Sequence, residues 1–218
     1  MDHDFWHARW KANEIGFHQA EVNAYLQTYW PRLNIPAGGT VFVPLCGKSR
    51  DMLWLASQGF KVIGVEISAL AVEAFFTENG LQPQRQELAG YSRYSAGEIV
   101  ILMGDYFSLQ PEQLGDIAGV YDRASLIALS PRMRAAYAQQ MAKLIPTGVA
   151  SFLVSLDYPQ AEMDGPPFAI SATGVEQLFA ADFEIRPLAS IDILAENPRF
   201  QARGLSHLQE QLYRLVRR

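Results

Sequence analysis

The chain has 218 residues, enough for one sizeable hydrophobic core and short for two. Its 49% hydrophobic content excludes a disordered chain, and a formal net charge of −5 with a pI near 5.4 argues against the basic face that nucleic-acid phosphates require. The one cysteine, Cys46, cannot form an internal disulfide, no charged-then-apolar leader is visible and no apolar run approaches ~18 residues, so the expectation is a cytoplasmic chain acting on small molecules, without nucleic acid or membrane as partner.

Residues 1–18 hold two of the four tryptophans among several charges, a composition suited to a segment that lies over something. Trp6 and Trp10, at i and i+4, read either as a covering lid or as a brace that pins a short helix to the body. Val22, Tyr25, Leu26 and Tyr29 mark an amphipathic helix stopping before Pro31, and Pro36, Gly38 and Gly39 turn into the first strand. Val41 to Val43 is a short apolar run of the kind buried in a parallel sheet, ended by Pro44. Leu45 to Ser49 forms a tight loop; a helix follows from Asp51, with Gly59 in the left-handed position that stops it. Lys61 to Ile67 is the second strand. Glu66 lies 21 residues beyond Leu45, about where a doubly wound fold places the acid that accepts hydrogen bonds from a ribose.

Ser68 is placed to cap a helix through Ala71, Val72, Phe75 and Phe76 that ends at Asn79 and Gly80. Residues 82–98 are polar and carry no clear period. Ile99 to Met103 reads as a buried strand running into Gly104, Asp105 and Tyr106, and Val120 to Asp122 as a short strand after a turn at Gly115 and Gly119. Ser130 and Pro131 open a helix to about Ile145, and Val149 to Leu156 is the next strand. Residues 157–172 form a long loop rich in proline, expected to border a pocket; Thr173 with Glu176 reads as a capping box. Phe183 to Leu194 and Leu212 to Val216 then predict an antiparallel pair. No repeat, low-complexity tract or linker interrupts the chain.

Three nucleotide sites compete for residues 41–68. A P-loop requires GxxxxGK[ST], and Phe42 stands where its first glycine belongs. A dinucleotide fold requires three spaced glycines at the first turn, and PLCGKS has one. A site for S-adenosylmethionine has no phosphate to cradle, so it tolerates that loop while the acid of the second strand still holds the ribose; the terminal antiparallel pair suits the same architecture.

With FWHARWKANEIGFH, PLCGKSRDMLWLASQGFKVIGVEIS, GDYFSL at 104–109, YDRASLIAL at 121–129 and PPF at 166–168 all in order, the chain resembles the thiopurine S-methyltransferase family in its bacterial form. The resemblance implies an α/β fold of the Rossmann-like class I methyltransferase type: a seven-stranded, mostly parallel sheet of order 3-2-1-4-5-7-6 with an N-terminal helical lid. It implies a single methyltransferase domain over residues 1–218, with 1–35 as a covering segment and 40–218 as the core, and methyl transfer from S-adenosylmethionine to sulfur.

Carried over from that family, the cofactor contacts fall on Trp10, Leu45, Glu66 and Arg123, with Asp105 and Tyr106 near the adenine. Trp10 would offer an aromatic face to a sulfonium, Leu45 backbone groups at the mouth of the loop, and Glu66 a charged acceptor. Transfer from a sulfonium to a thiolate disperses charge, so a dry pocket favours it and no strong general base is needed. Arg123 and Arg199 are the catalytic candidates, acting on the ring nitrogens of an anionic heterocycle, since a tight ion pair with the sulfur would blunt the nucleophile. Phe17 and Phe168 would flank an aromatic acceptor, with Arg199 beside them. His3, His7, His18 and His207 form no ligand pattern with Cys46, and no metal is expected. The expected partner is a small thiol or metalloid acceptor and the expected state a monomer. Other acceptors, including selenium or tellurium oxyanions and small thiols, stay open; so do a nicotinamide-dependent oxidoreductase, disfavoured by the missing glycines, and a nucleotide-sensing module.

Overall fold

The computed structural model describes residues 3–218; Met1 and Asp2 of the expected covering segment lie outside the described residues. The chain divides within one strand into two compact units, one running to Val120 and one spanning Tyr121–Arg218.

The first unit opens with α1 (His3–Lys11) and α2 (Ala24–Tyr29). Asn23 caps α2 by accepting from the amides of Tyr25 and Leu26. α2 stops before Pro31 as expected, and a separate 3₁₀ turn, Trp30–Leu33, follows it with Pro31 in the first turn, where proline needs no amide partner. The sequence then alternates as expected: β1 (Thr40–Val43), α3 (Asp51–Ser57), β2 (Lys61–Glu66) and α4 (Ala69–Glu78). Gly59 turns the chain at φ +84°, and Ser68 caps α4 through its hydroxyl, which accepts from the Ala71 amide. Residues 84–96 form a hairpin, β3 (Gln84–Leu88) and β4 (Tyr91–Ala96), that the polar sequence does not announce. The reason is physical: β3 is exposed along its whole length, so nothing demands an apolar face, and it carries Arg85 and Glu87 as an edge strand does. β5 (Ile99–Met103), α5 (Pro111–Leu114) and β6 (Ile117–Arg123) follow.

Strand order in this unit is β3-β4-β5-β2-β1-β6, with β5, β2, β1 and β6 parallel and the hairpin antiparallel. Gly119 lies inside β6 rather than in a turn before it. A Cβ there would fall 2.9 Å from the Ile35 side chain, so the glycine answers close packing. Phe42, Phe75 and Leu55 are fully buried, each worth roughly 1.5–3 kcal/mol of hydrophobic stabilisation.

The second unit takes the end of β6 into α6 (Ser125–Ala128), α7 (Pro131–Leu144), β7 (Ala150–Asp157), α8 (Ala172–Phe179), β8 (Phe183–Asp192), α9 (Pro198–Gln201) and β9 (Gln209–Arg217). Pro131 occupies the first turn of α7 as expected. The cap of α8 is Ser171, whose hydroxyl accepts from the Gly174 amide; Thr173, the expected cap, lies inside the first turn. Here the order is β6-β7-β9-β8, and β9 runs antiparallel to both β7 and β8. Tyr121 stacks on Phe152, and Phe179 meets Phe183 edge to face. The described residues thus hold nine strands where seven were expected. The expected succession 3-2-1-4-5-7-6 is present as β5-β2-β1-β6 in one unit and β6-β7-β9-β8 in the other, and the hairpin is the addition.

Candidate functional site

In the first unit the C-terminal ends of three neighbouring parallel strands converge, the place where open α/β sheets bind ligands. After β1 the chain breaks sharply. Leu45 has φ +46°, a left-handed conformation that a branched side chain adopts at a cost of about 1–2 kcal/mol, and Gly47 follows at φ +52°. The bend turns the Cys46 amide onto Val65 O at 3.0 Å and the Gly47 amide onto Glu66 Oε2 at 2.8 Å.

Glu66, the last residue of β2, is 6% exposed. Its other oxygen accepts from the Ser68 amide at 2.8 Å, and the Ile67 N–H also favours its charged form. Burial pushes its pKa upward and these amides partly oppose the shift. A carboxylate has about four acceptor positions, so capacity remains for ligand hydroxyls. The residues therefore fit a ribose: a buried acid held rigid by backbone donors.

Lys48 supports the loop from outside, its ammonium donating to both oxygens of Glu78 at 2.6 and 2.9 Å. The spacing of the sequence gave no signal for that pair. Trp10 lies over the loop, so close that a Cβ on Gly47 would come within 3.4 Å of its ring. Phe17, 43% exposed, meets Trp6 and Trp10 edge to face, both at 5.6 Å between centroids. The Asn23 amide donates to buried Asp51 and Arg50 donates to Ala20 O, which ties the segment after α1 to the start of α3.

Asp105 follows β5. Gly104 N donates to Glu66 O at 2.9 Å, and a Cβ on Gly104 would fall 2.4 Å from the Tyr91 ring, so only glycine fits. Asp105 Oδ1 accepts from the Phe107 amide, and the Tyr91 hydroxyl donates to Asp105 O. The Tyr106 ring is buried and stacks parallel to Phe42 at 6.4 Å, leaving its main chain as the part able to meet a ligand. Trp10, Gly47 of the loop that Leu45 opens, Glu66 and Gly104, which precedes Asp105, are thus joined by one run of contacts. Cys46, in the same loop, is a packing residue. It is buried, it lies where a Cβ on Gly64 would approach its sulfur to 2.7 Å, and burial followed by the nearby Glu66 charge raises its pKa well above the usual thiol range.

The second unit holds the other candidates. Arg123 ends β6 and is half-buried; Ala124 after it has φ +70°, a second left-handed non-glycine residue at a strand end. Asp122, 2% exposed, accepts from the Tyr137 hydroxyl at 2.7 Å and from Ser125, and burial pushes its pKa up to about 6. Phe168 is half-buried in the proline-rich loop, its ring against Gly165, where a Cβ would fall 2.5 Å away. Arg199 lies exposed on α9 with its guanidinium 4.8 Å from the Phe200 ring centroid.

One residue without a sequence signal dominates this loop. Arg134 of α7, 6% exposed, donates from Nε to Leu126 O at 2.8 Å, from Nη1 to Ala169 O at 2.9 Å and from Nη2 to Phe168 O at 3.1 Å. An arginine on an amphipathic helix reads as a surface charge, and only the fold reveals its burial.

Comparison with known proteins places these features in context. The family model for thiopurine S-methyltransferase (TPMT) matches residues 1–218. The chain is 50% identical to the thiopurine S-methyltransferase of Nitrosospira multiformis, over 100% of this chain and 99% of the relative, and 48% identical to that of Shewanella oneidensis over the full length of both. In fold it is similar to the crystal structure of a SAM-dependent methyltransferase from Anabaena variabilis, with a TM-score of 0.67 at 18% identity, covering 99% of this chain and 95% of that one.

Proposed function

Since the chain belongs to the thiopurine S-methyltransferase family, we propose that it transfers the methyl group of S-adenosylmethionine to the sulfur of thiopurines and other aromatic or heterocyclic thiols. The observation that carries this reading is full-length identity near one half to relatives of that name. It is supported by the buried Glu66 carboxylate at the end of β2 and by the Trp10 ring over the Gly47 loop.

When bound, S-adenosylmethionine supplies an electrophilic methyl group on a sulfonium. Glu66 is the residue to hold the ribose hydroxyls, Leu45 and Gly47 to present the loop backbone, and Asp105 with the Tyr106 main chain to border the adenine. Trp10 and Phe17 exclude water, which strengthens every charge interaction beneath them. Arg123 and Arg199 keep a heterocyclic acceptor anionic through its ring nitrogens, leaving the thiolate sulfur unpaired and nucleophilic. Phe168 gives the acceptor an aromatic wall. The whole chain then works as one methyltransferase domain, in the cytoplasm and as a monomer. No helix among the described residues is long and apolar enough to cross a membrane.

Calorimetric titration with S-adenosylhomocysteine, NADH and ATP, followed by a methylation assay on 6-mercaptopurine, tests this reading. Binding of S-adenosylhomocysteine alone, with S-methylated product, is expected. Binding of NADH in its place would make the chain an oxidoreductase, and cofactor binding without turnover of any thiol or chalcogen oxyanion would make it a sensing module.

A further inference from the structure

Arg134 is buried, yet its partners are three backbone carbonyls, arranged so that each of the three nitrogens of one planar fork serves a different residue. Burying a guanidinium is unfavourable unless its hydrogen bonds are directional and complete, so a helix that only had to close over a core would carry an apolar side chain here. The three carbonyls are informative. Leu126 belongs to α6, the turn that starts two residues beyond Arg123; Phe168 and Ala169 belong to the proline-rich loop. The same two segments are joined a second time, the Phe168 amide donating to Ile127 O at 2.7 Å. Tyr158 adds a third restraint by donating its hydroxyl to Pro167 O. Both main-chain polar groups of Phe168 are thus fixed, and its neighbours on either side are held as well.

We propose that Arg134 is a positioning residue for the methyl acceptor: its guanidinium holds the Phe168 main chain against the turn that follows Arg123, setting the aromatic wall of the acceptor site relative to its cation. The inference rests on the reading that Arg123 and Phe168 meet the acceptor. Lysine in place of Arg134 keeps the charge but presents a single nitrogen, which cannot reproduce a planar three-way fork. A displaced wall weakens acceptor binding and alignment while the cofactor loop, built on Leu45, Gly47 and Glu66, is untouched.

The test uses the full chain with Arg134→Lys, Arg134→Met, Tyr158→Phe and, as references for the acceptor reading, Phe168→Ala and Arg123→Lys. KM and kcat for 6-mercaptopurine, affinity for S-adenosylhomocysteine and hydrogen exchange across residues 159–170 are measured for each. Arg134→Lys is expected to raise KM for 6-mercaptopurine by about tenfold or more and to speed exchange in the loop, since misplacement of an acceptor by ~1 Å is costly, with cofactor affinity changed less than about twofold. Tyr158→Phe, a milder loosening of the same loop, is expected to give a rise of roughly threefold and serves if the Arg134 variants do not fold. If faster exchange comes with unchanged KM, or if cofactor affinity falls in step with acceptor affinity, the positioning role is overturned while a KM effect of Phe168→Ala preserves the acceptor reading. If neither Phe168→Ala nor Arg123→Lys moves KM for 6-mercaptopurine, that reading fails and takes the inference with it.

Discussion

The Gly47 amide donates to Glu66 Oε2 across 19 residues of sequence, so the loop after β1 and the acid at the end of β2 form one hydrogen-bonded unit. Any ligand that meets Glu66 therefore also meets a loop whose shape that carboxylate helps to set.

Glu66→Ala should weaken S-adenosylhomocysteine binding by roughly 10- to 100-fold, the loss expected for a charged hydrogen bond at ~1.4 kcal/mol per decade. Because the Gly47 and Ser68 amides lose their acceptor, exchange at residues 45–49 should quicken in the same variant. Calorimetry and exchange mass spectrometry read both, and unchanged affinity would remove the ribose assignment.

Phe17 is a partly exposed aromatic against two tryptophans, an arrangement that gains burial when a ligand fills the space beneath Trp10. Hydrogen exchange across residues 3–18 should slow on addition of S-adenosylhomocysteine. Equal protection with and without it would make Trp6 and Trp10 a static brace.

Arg123→Lys retains the charge at the end of β6 but loses planar two-point contact with a heterocycle. The fall in kcat/KM should be larger for 6-mercaptopurine than for selenite or tellurite, which need only positive charge. An equal fall for all acceptors, tracked by weaker cofactor binding, would leave Arg123 a cofactor residue and Arg199 the candidate for the acceptor anion.

Asp122 gives a pH signature. Its folded pKa of about 6 lies above the ordinary value of 3.8 because the carboxyl is buried. Between those values the unfolded chain has released the proton and the folded chain keeps it, so the contribution to stability is full below about pH 4 and is lost as pH rises through about 6. At ~1.4 kcal/mol per unit the loss is of order 3 kcal/mol. Asp122→Asn, which can still accept from Tyr137, should gain stability relative to the parent across that window in urea unfolding. A difference independent of pH would mean that Asp122 is not protonated in the folded chain.

Where local chemistry decides the structure, the sequence was legible. The apolar run of β1, the stop at Gly59, the acid at Glu66 and the cap at Ser68 each act within a few residues, and the structure has them in place. What was hidden either lacks a local period or depends on distant partners. β3 is exposed throughout and so has no apolar period. Gly119 mimics a turn residue because the side chain it makes room for, Ile35, is far off in sequence. α6 has only four residues, too few for a helical period to show. In the site, Glu66 could be found by spacing from Leu45, whereas the Lys48 to Glu78 pair and the three carbonyls of Arg134 exist only once the chain is folded.

The setting of Cys46 has a chemical consequence for an enzyme that handles thiols. Such acceptors coexist with their oxidised dimers, and those react by exchange with any accessible thiolate to leave a mixed disulfide on the protein. The only cysteine of this chain is shut in against Gly64 and kept protonated by burial and by the charge of Glu66. It offers neither the thiolate nor the approach that exchange requires, so oxidised acceptors find no partner in this chain for a mixed disulfide.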